Sequence, residues 1–522
     1  MRYNAHRIEF FLQCIEVTGL KKLFLVFFAI YAFLNPSPAL SRWVQIETEN
    51  FRLFSKGNLE RSKQLGVKLE KLDAMLRLLH RIDSSSTARK VEIYLVESDD
   101  KVRELGEFKT SNVAGFLKST ERGVFGVVPM RDTSRSEYAL TGRQILFHEY
   151  VHAFMAQHVS TAYPAWYREG IADFYSTVEF RDSGEIWLGK VVPNRVPSAT
   201  RKKLFDTKKL LTIDSRDIAT QDRGRYYATG WLLTHFLFFN DERKGELTRY
   251  LKAINAGQSS MSAASKFSGG AGGLSKDLKT YSKSRRLSYS KFELINFPTQ
   301  FPMKIDPLSA DRSELMEMEI RLRSRMSKQR ALKLLPDLQK ITDRYPNSSF
   351  AHWISSEFLR RSGDNIAAEA AIDRAIELDP GNGKALIRKA RFLITIARKS
   401  EKDQATQHWS SARNLIVQAN RVDVEDPVPL YLFYHIGRGQ KKRTSDLMFS
   451  GLKKAQNLIP QYGPYRVRLA IEYAKRDEFE TAQKLLFPVV FSAHQSSLRD
   501  RARKLYDKIE KDQTGNPIRS ME

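Results

Sequence analysis

Apolar residues in the first part of the chain fall in short alternating runs; further on they recur at spacings of three and four. The stretch "WVQIETENFRLFS" (43–55) alternates as a half-buried strand does, and "VEIYLV" (91–96) and "GVFGVVPM" (123–130) read as further strands. By contrast, "NLERSKQLGVKLEKLDAMLRLL" (58–79) sets Leu65, Leu69, Leu72, Leu76 and Leu79 along one side of a helix. Three later stretches share the helical spacing: "TGRQILFHEYVHAFMAQH" (141–158), "PAWYREGIADFYSTVEF" (164–180) and "RYYATGWLLTHFLFF" (225–239). Pro164 suits the first turn of the second of these. Strands followed by helices predict an α+β unit over 43–295.

The pattern then changes. A Gly/Ser-rich stretch, "GQSSMSAASKFSGGAGGLS" (257–275), predicts loops, and "NFPTQFPMKIDP" opens a linker over 296–309. From 310 onward the spacing is helical and repeats. Pro346, Pro380, Pro427 and Pro460 each end one amphipathic segment and precede another, at spacings of 34, 47 and 33 residues. Two helices per unit of about 34 residues is a tetratricopeptide-like pattern, so an all-α solenoid is expected over 310–512. The segment "SLRDRARKLYDKIEKDQ" reads as its polar capping helix, and 513–522 as a short tail. Such repeats stack neighbour on neighbour, so the array is expected to fold apart from the α+β unit and to bind a protein partner or substrate.

Charge and termini narrow the setting. The 522 residues include 86 Lys and Arg against 60 Asp and Glu, a net charge of +26. The basic residues are spread through helical segments without a nucleic-acid-binding motif, which argues against nucleic acid as a partner. Cys14 is the one cysteine, so no intrachain disulfide can form. Lys21 and Lys22 lead an apolar block from Leu23 to Leu34, followed by Pro36, Ser37, Pro38 and Ala39. Its length, about 18 Å as a helix, falls short of a hydrocarbon core of roughly 30 Å. Residues 1–40 therefore read as a secretory signal or an N-terminal membrane anchor. The expected location is the periplasm or cell envelope, with secretion or inner-membrane anchoring as alternatives.

The candidate chemistry lies in "LFHEYVHAF" (146–154). His148 and His152, two of only ten histidines, share a helix face with Glu149 beside the first. This H-E-x-x-H arrangement offers two imidazoles to one Zn²⁺ ion and places a carboxylate next to them. A catalytic zinc needs a third protein ligand and a position for water. His158 and Glu169 compete for that role. His158 sits ten residues after His148 without the Gly that would turn the chain back, since Met155 and Gln157 continue the helix. Glu169 lies on the next helix with Asp173 one turn on, and Trp166, Ile171 and Phe174 indicate that this helix is packed.

Glu followed four residues later by Asp, after H-E-x-x-H, resembles the gluzincin pattern. The stretch from 43 to about 292 is similar to a bacterial peptidase-MA-like gluzincin domain. The matching pieces are "WVQIETENFRLFS", "VAGFL", "ILFHEYVHAFM", "PAWYREGIADF" and "YYATGWLLTHFL". The resemblance implies a small mixed or antiparallel sheet with active-site helices. It also implies His148, His152 and Glu169 as zinc ligands, Asp173 orienting a ligand histidine, and Glu149 as general base. It draws attention to Tyr227, with Tyr226 next, as a hydrogen-bond donor to the tetrahedral intermediate; Tyr227, Trp231 and His235 equally fit an aromatic core stripe. By the same analogy, the strand at 123–130 would pair with an extended peptide.

The leading expectation is an exported zinc metallopeptidase with repeats for partner or substrate binding. Two alternatives remain: a non-enzymatic envelope scaffold built on the repeats, and a zinc amidase acting on cell-wall crosslinks.

Overall fold

The stretch 43–55 forms two strands, because Thr48 to Asn50 turn the chain. Thr48 N donates to Phe51 O (2.9 Å), and Glu70 clamps the turn by accepting from Thr48 Oγ1 (2.6 Å) and Asn50 N (2.7 Å). The resulting hairpin, β1 (Val44–Glu47) and β2 (Phe51–Ser55), leads into α1 (Leu59–His80), β3 (Val91–Val96) and α2 (Asp99–Gly106). Then come β4 (Phe116–Thr120), β5 (Gly123–Pro129), α3 (Gly142–His158) and α4 (Ala165–Ser176). The computed structural model describes residues 42–82, 88–108, 113–131, 136–159, 163–200, 203–213, 217–324, 326–440, 444–491 and 496–512. The expected signal or anchor (1–40) and the tail (513–522) lie outside the described residues. The chain divides into two units, Met1–Arg42 and Trp43–Glu522, and every described strand and helix belongs to the second. No described helix is long and apolar enough to cross a membrane.

The main sheet is mixed, in the order β4-β5-β3-β2-β1-β9, where β9 is Lys304–Pro307. Alternation along its strands supplies two cores. Phe51, Leu53, Ile93, Leu95, Val124 and Val128 face α1 and α3, whereas Phe54, Tyr94, Val96, Phe125 and Val127 pack with Val102 and Leu105 of α2. The expectation that 123–130 offers a free edge is corrected here: β5 is paired with β3 on one side and β4 on the other. The edge strands are β4 and β9, and the tight turn at Glu121 and Arg122 folds β4 back onto β5.

Other helices complete this unit. The helix expected over 164–180 stops at Ser176, and Glu179–Phe180 forms β6 of a second sheet with β7 (Ile186–Leu188) and β8 (Ser290–Phe292). Among several shorter helical turns, the longer helices that follow are α5 (Arg223–Phe239), α6 (Glu246–Asn255) and α7 (Gly270–Tyr281). The last of these begins inside the Gly-rich stretch read as loop. Leu274 and Leu278, one turn apart and fully buried, outweigh the poor helix propensity of its glycines.

The segment expected as a linker, 296–309, carries β9, which pairs antiparallel with β1. The next helix, α8 (Ala310–Arg323), is shared. Its Met316 and Ile320 cover the second face of the sheet, while Leu315 and Leu322 enter the first core of the repeats. Arg323 pairs with Glu92 and donates to Tyr94 OH (2.7 Å). The array therefore packs against the α+β unit through α8. Spacing alone shows that α8 is amphipathic, but not that it is apolar toward two partners. Met316→Ala should lower the unfolding free energy by about 2–5 kcal/mol, the usual range for emptying a buried methionine site. A urea titration followed by circular dichroism checks this, and the α+β unit and the repeats should lose stability together.

Beyond α8 the helices are α9 (Lys328–Arg344), α10 (Ser349–Ser362), α11 (Asn365–Leu378), α12 (Gly383–Ala397) and α13 (Lys402–Val422). They continue as α14 (Pro427–Gly439), α15 (Asp446–Leu458), α16 (Gly463–Ala474), α17 (Phe479–Val490) and α18 (Ser497–Asp512). Successive antiparallel pairs make tetratricopeptide-like repeats, with Pro346, Pro380, Pro427 and Pro460 at the junctions. The 47-residue spacing arises because α13 runs for 21 residues. The array touches the sheet again at the β4–β5 turn, where Arg391 Nη2 donates to Glu121 Oε1 (2.7 Å).

Candidate metal centre

The helix carrying His148 and His152 is started by a reciprocal cap. Thr141 Oγ1 accepts from Gln144 N (3.2 Å), and Gln144 Oε1 accepts from Thr141 N (2.9 Å). It is then pinned to α1 through Tyr150 OH, which donates to Asp73 (2.5 Å), itself held by Arg77 (2.6 Å). The same winding that buries Tyr150, Val151 and Phe154 turns His148 and His152 toward α4. There, Gly170 lets α4 cross α5 closely: a Cβ on it would lie 2.2 Å from Thr234 Oγ1 and 2.6 Å from Gly230 O. That close crossing sets the depth at which Glu169 is presented.

His148, His152 and Glu169 converge. The two Nε2 atoms are 3.2 Å apart, and Glu169 Oε2 stands 3.7 Å from that of His148 and 3.4 Å from that of His152. A tetrahedral ion with bonds of about 2.0–2.1 Å requires donor separations of roughly 3.3 Å, so these three donors fit Zn²⁺. The charges fit as well, because three carboxylates surround the two imidazoles. Burial disfavours a charged His148, but hydrogen bonds to Asp173 and Glu169 outweigh it and hold the imidazole pKa up at about 10. The donor set thus favours positive charge where its atoms meet. Burial likewise opposes ionisation of Glu169, yet His152 and His148 hold its carboxyl well below the usual range.

Asp173 lies 2.9 Å from His148 Nδ1 and is wholly buried. It also accepts from Arg195 Nε (2.6 Å) and Nη2 (3.1 Å). Burial raises its carboxyl, but Arg195 and His148 pull it below the ordinary value. No sequence pattern marks Arg195: it ends a single 3₁₀ turn, Pro193–Arg195, 22 residues beyond Asp173, and only the need of a buried carboxylate for a cation points toward it.

Glu149 is half-buried beside the donors and accepts from Leu117 N of the edge strand β4 (3.3 Å). Burial raises its pKa against the opposing pull of His148 and His152. Tyr227 is half-buried, with the Arg195 guanidinium 5.2 Å from its ring centroid. Burial and then the nearby Glu169 raise its hydroxyl pKa. Tyr226 is fully buried against Phe205, Trp231 is buried, and His235 is bonded to Tyr281 and Gly189 O, so the rest of that stripe is core. His158 ends α3 away from the cluster, 3.4 Å from Arg77 and packed on Phe154. Burial and Arg77 lower its pKa to about 4.

No protein-family model and no curated protein matches the chain. Among solved structures, it is similar to MamA from Desulfovibrio magneticus RS-1, with 16% identity and a TM-score of 0.26, covering 39% of this chain and 98% of that one. It is also similar to PilF of Pseudomonas aeruginosa, with 15% identity and a TM-score of 0.28, covering 36% and 86%. A third likeness is to the APC/C hetero-tetramer Cut9–Hcn1, with 12% identity and a TM-score of 0.25, covering 62% and 63%. Scores this low carry no information about activity.

Proposed function

We propose that this protein is an exported zinc-dependent metallopeptidase of the gluzincin type. The convergence of His148, His152 and Glu169 at tetrahedral donor spacing carries this reading. Bound zinc would supply a Lewis acid and a water acidic enough to ionise near neutral pH. Asp173, fixed by Arg195, keeps His148 oriented with Nε2 toward the other donors. Glu149 accepts a proton from the attacking water and passes it to the departing amine. Tyr227 donates to the oxyanion as charge develops. The edge strand β4, which already meets Glu149 through Leu117, lies where an extended peptide would align.

Metal content tests the ligand set. Purified full-length protein should hold one zinc per chain. Glu169→Ala should lose most of it, and His158→Ala should retain it, as measured by atomic absorption after dialysis. The opposite pattern would move the third ligand to His158 and end the gluzincin assignment.

A second reading, a non-enzymatic scaffold, draws on the repeats. They carry a groove of about 690 Å³ lined by Arg360, Arg388, Arg391, Arg398, Tyr431 and His435. Such a groove suits a protein partner, and an acidic segment would compete with Glu121 for Arg391. An intact Glu149 favours the enzyme, since a structural zinc has no use for a base. A zinc amidase acting on cell-wall crosslinks would use the same residues and is separated from the peptidase by substrate alone.

A further inference from the structure

Beside His152 a cavity of about 290 Å³ opens between the candidate metal centre and the last repeats. His152, Met155 and Arg168 line one wall; Arg466, Val489 and Phe491 line the other. Arg168 lies 3.6 Å from Glu169, so of the two guanidinium groups in the lining Arg466 is the one with no described carboxylate beside it.

Arg466 is the telling residue. It lies on α16, is only 7% exposed and forms no ion pair with any described residue. Its Nε and Nη2 both donate to Pro460 O, at 3.1 and 2.6 Å, which leaves Nη1 without a protein acceptor among the described residues. Burial with no acid nearby lowers the guanidinium to about 10. A cation taken out of water without a counter-charge is costly, and the remedies are water or an anion. Here the space in front of it is shared with His152 of the candidate metal centre, and Met155, Val489 and Phe491 make part of its wall apolar.

We propose that the C-terminal repeats complete the substrate site, and that this cavity receives a substrate residue next to the scissile amide that bears a carboxylate. Arg466 holds the carboxylate, with Arg168, paired to Glu169, alongside it, and Met155, Val489 and Phe491 take up the apolar part. The proposal rests on the hydrolase reading and adds to it the substrate class. The carboxylate comes either from the C-terminus of a peptide or from an acidic side chain; the chemistry at Arg466 is the same.

Equilibrium binding tests this without relying on turnover. Full-length protein, both zinc-free and zinc-loaded, is titrated calorimetrically with N-acetyl-leucine, N-acetyl-leucine amide and N-acetyl-aspartate amide. A charge-assisted bond to a buried guanidinium should make one carboxylate bind at least about tenfold tighter than the neutral leucine amide, even without zinc. A preference for N-acetyl-leucine identifies the peptide C-terminus as the source, and one for N-acetyl-aspartate amide identifies an acidic side chain. Arg466→Met should abolish the preference, and Arg466→Lys should restore part of it at an equal melting temperature. Equal affinity for all three compounds, or a preference that survives Arg466→Met, overturns the proposal. A peptide-library digest then separates the two claims. Zinc-dependent cleavage with no carboxylate preference leaves the hydrolase standing and removes this cavity from its specificity. A carboxylate preference in a chain that holds no zinc keeps the cavity and removes the hydrolase.

Discussion

Glu149→Gln should bind zinc and melt as the wild type does, while any hydrolytic activity falls by roughly 10²–10⁴-fold, the usual contribution of a general base. The substitution keeps the shape of the side chain and its acceptor oxygen for Leu117 N, which lies 3.3 Å away in the native chain. Only the capacity to take a proton disappears. Zinc content, thermal melting and peptide-library cleavage together read the result. Loss of zinc would make Glu149 a ligand or a ligand's support. Unchanged cleavage would remove it from the mechanism and bring the scaffold reading forward.

The second large effect is expected at Asp173. Its buried carboxylate serves two half-buried neighbours: His148, 2.9 Å away, and Arg195, at 2.6 Å. Asp173→Ala strands the half-buried Arg195 guanidinium and should cost up to about 3–5 kcal/mol in a urea titration. Removing both charges, as Asp173→Leu with Arg195→Met, should recover much of that stability, because an apolar pair of similar volume is often tolerated where an ion pair stood. Zinc affinity should not recover. The orientation of His148 is lost in both variants, and such supporting partners contribute about 10–100-fold to metal affinity. A double variant that regains stability and zinc affinity together would show that Asp173 acts only as a partner for Arg195.

The two effects differ in how much of their basis the sequence carries. For Glu149 it is wholly local. A continuous helix places His148 and His152 on one face with Glu149 adjacent, and the apolar pattern around them already indicates that helix. The Glu169–Asp173 pair is legible for the same reason, as two positions one turn apart. The repeats are legible because each unit buries its apolar stripe against the next, and that requirement imposes a period.

What the tertiary structure alone decided is everything set by the meeting of distant segments. Gly170 and Gly230 fix how closely α4 crosses α5, and hence where Glu169 sits. Arg195 reaches Asp173 from a single 3₁₀ turn, Pro193–Arg195, too short to carry a periodic signal. The identity of the edge strand depends on pairing order, so β5 reads as a strand in the sequence but lies inside the sheet, while β4 borders the site. Met316 and Ile320 read as one more amphipathic stripe, yet they close the second face of the sheet and join the repeats to it. The periodicity of a segment states that it has an apolar face, and it is silent on which surface that face meets. The partner is chosen by the packing of all segments at once. That packing is what brings Arg466 of the repeats and His152 of α3 to the walls of one cavity.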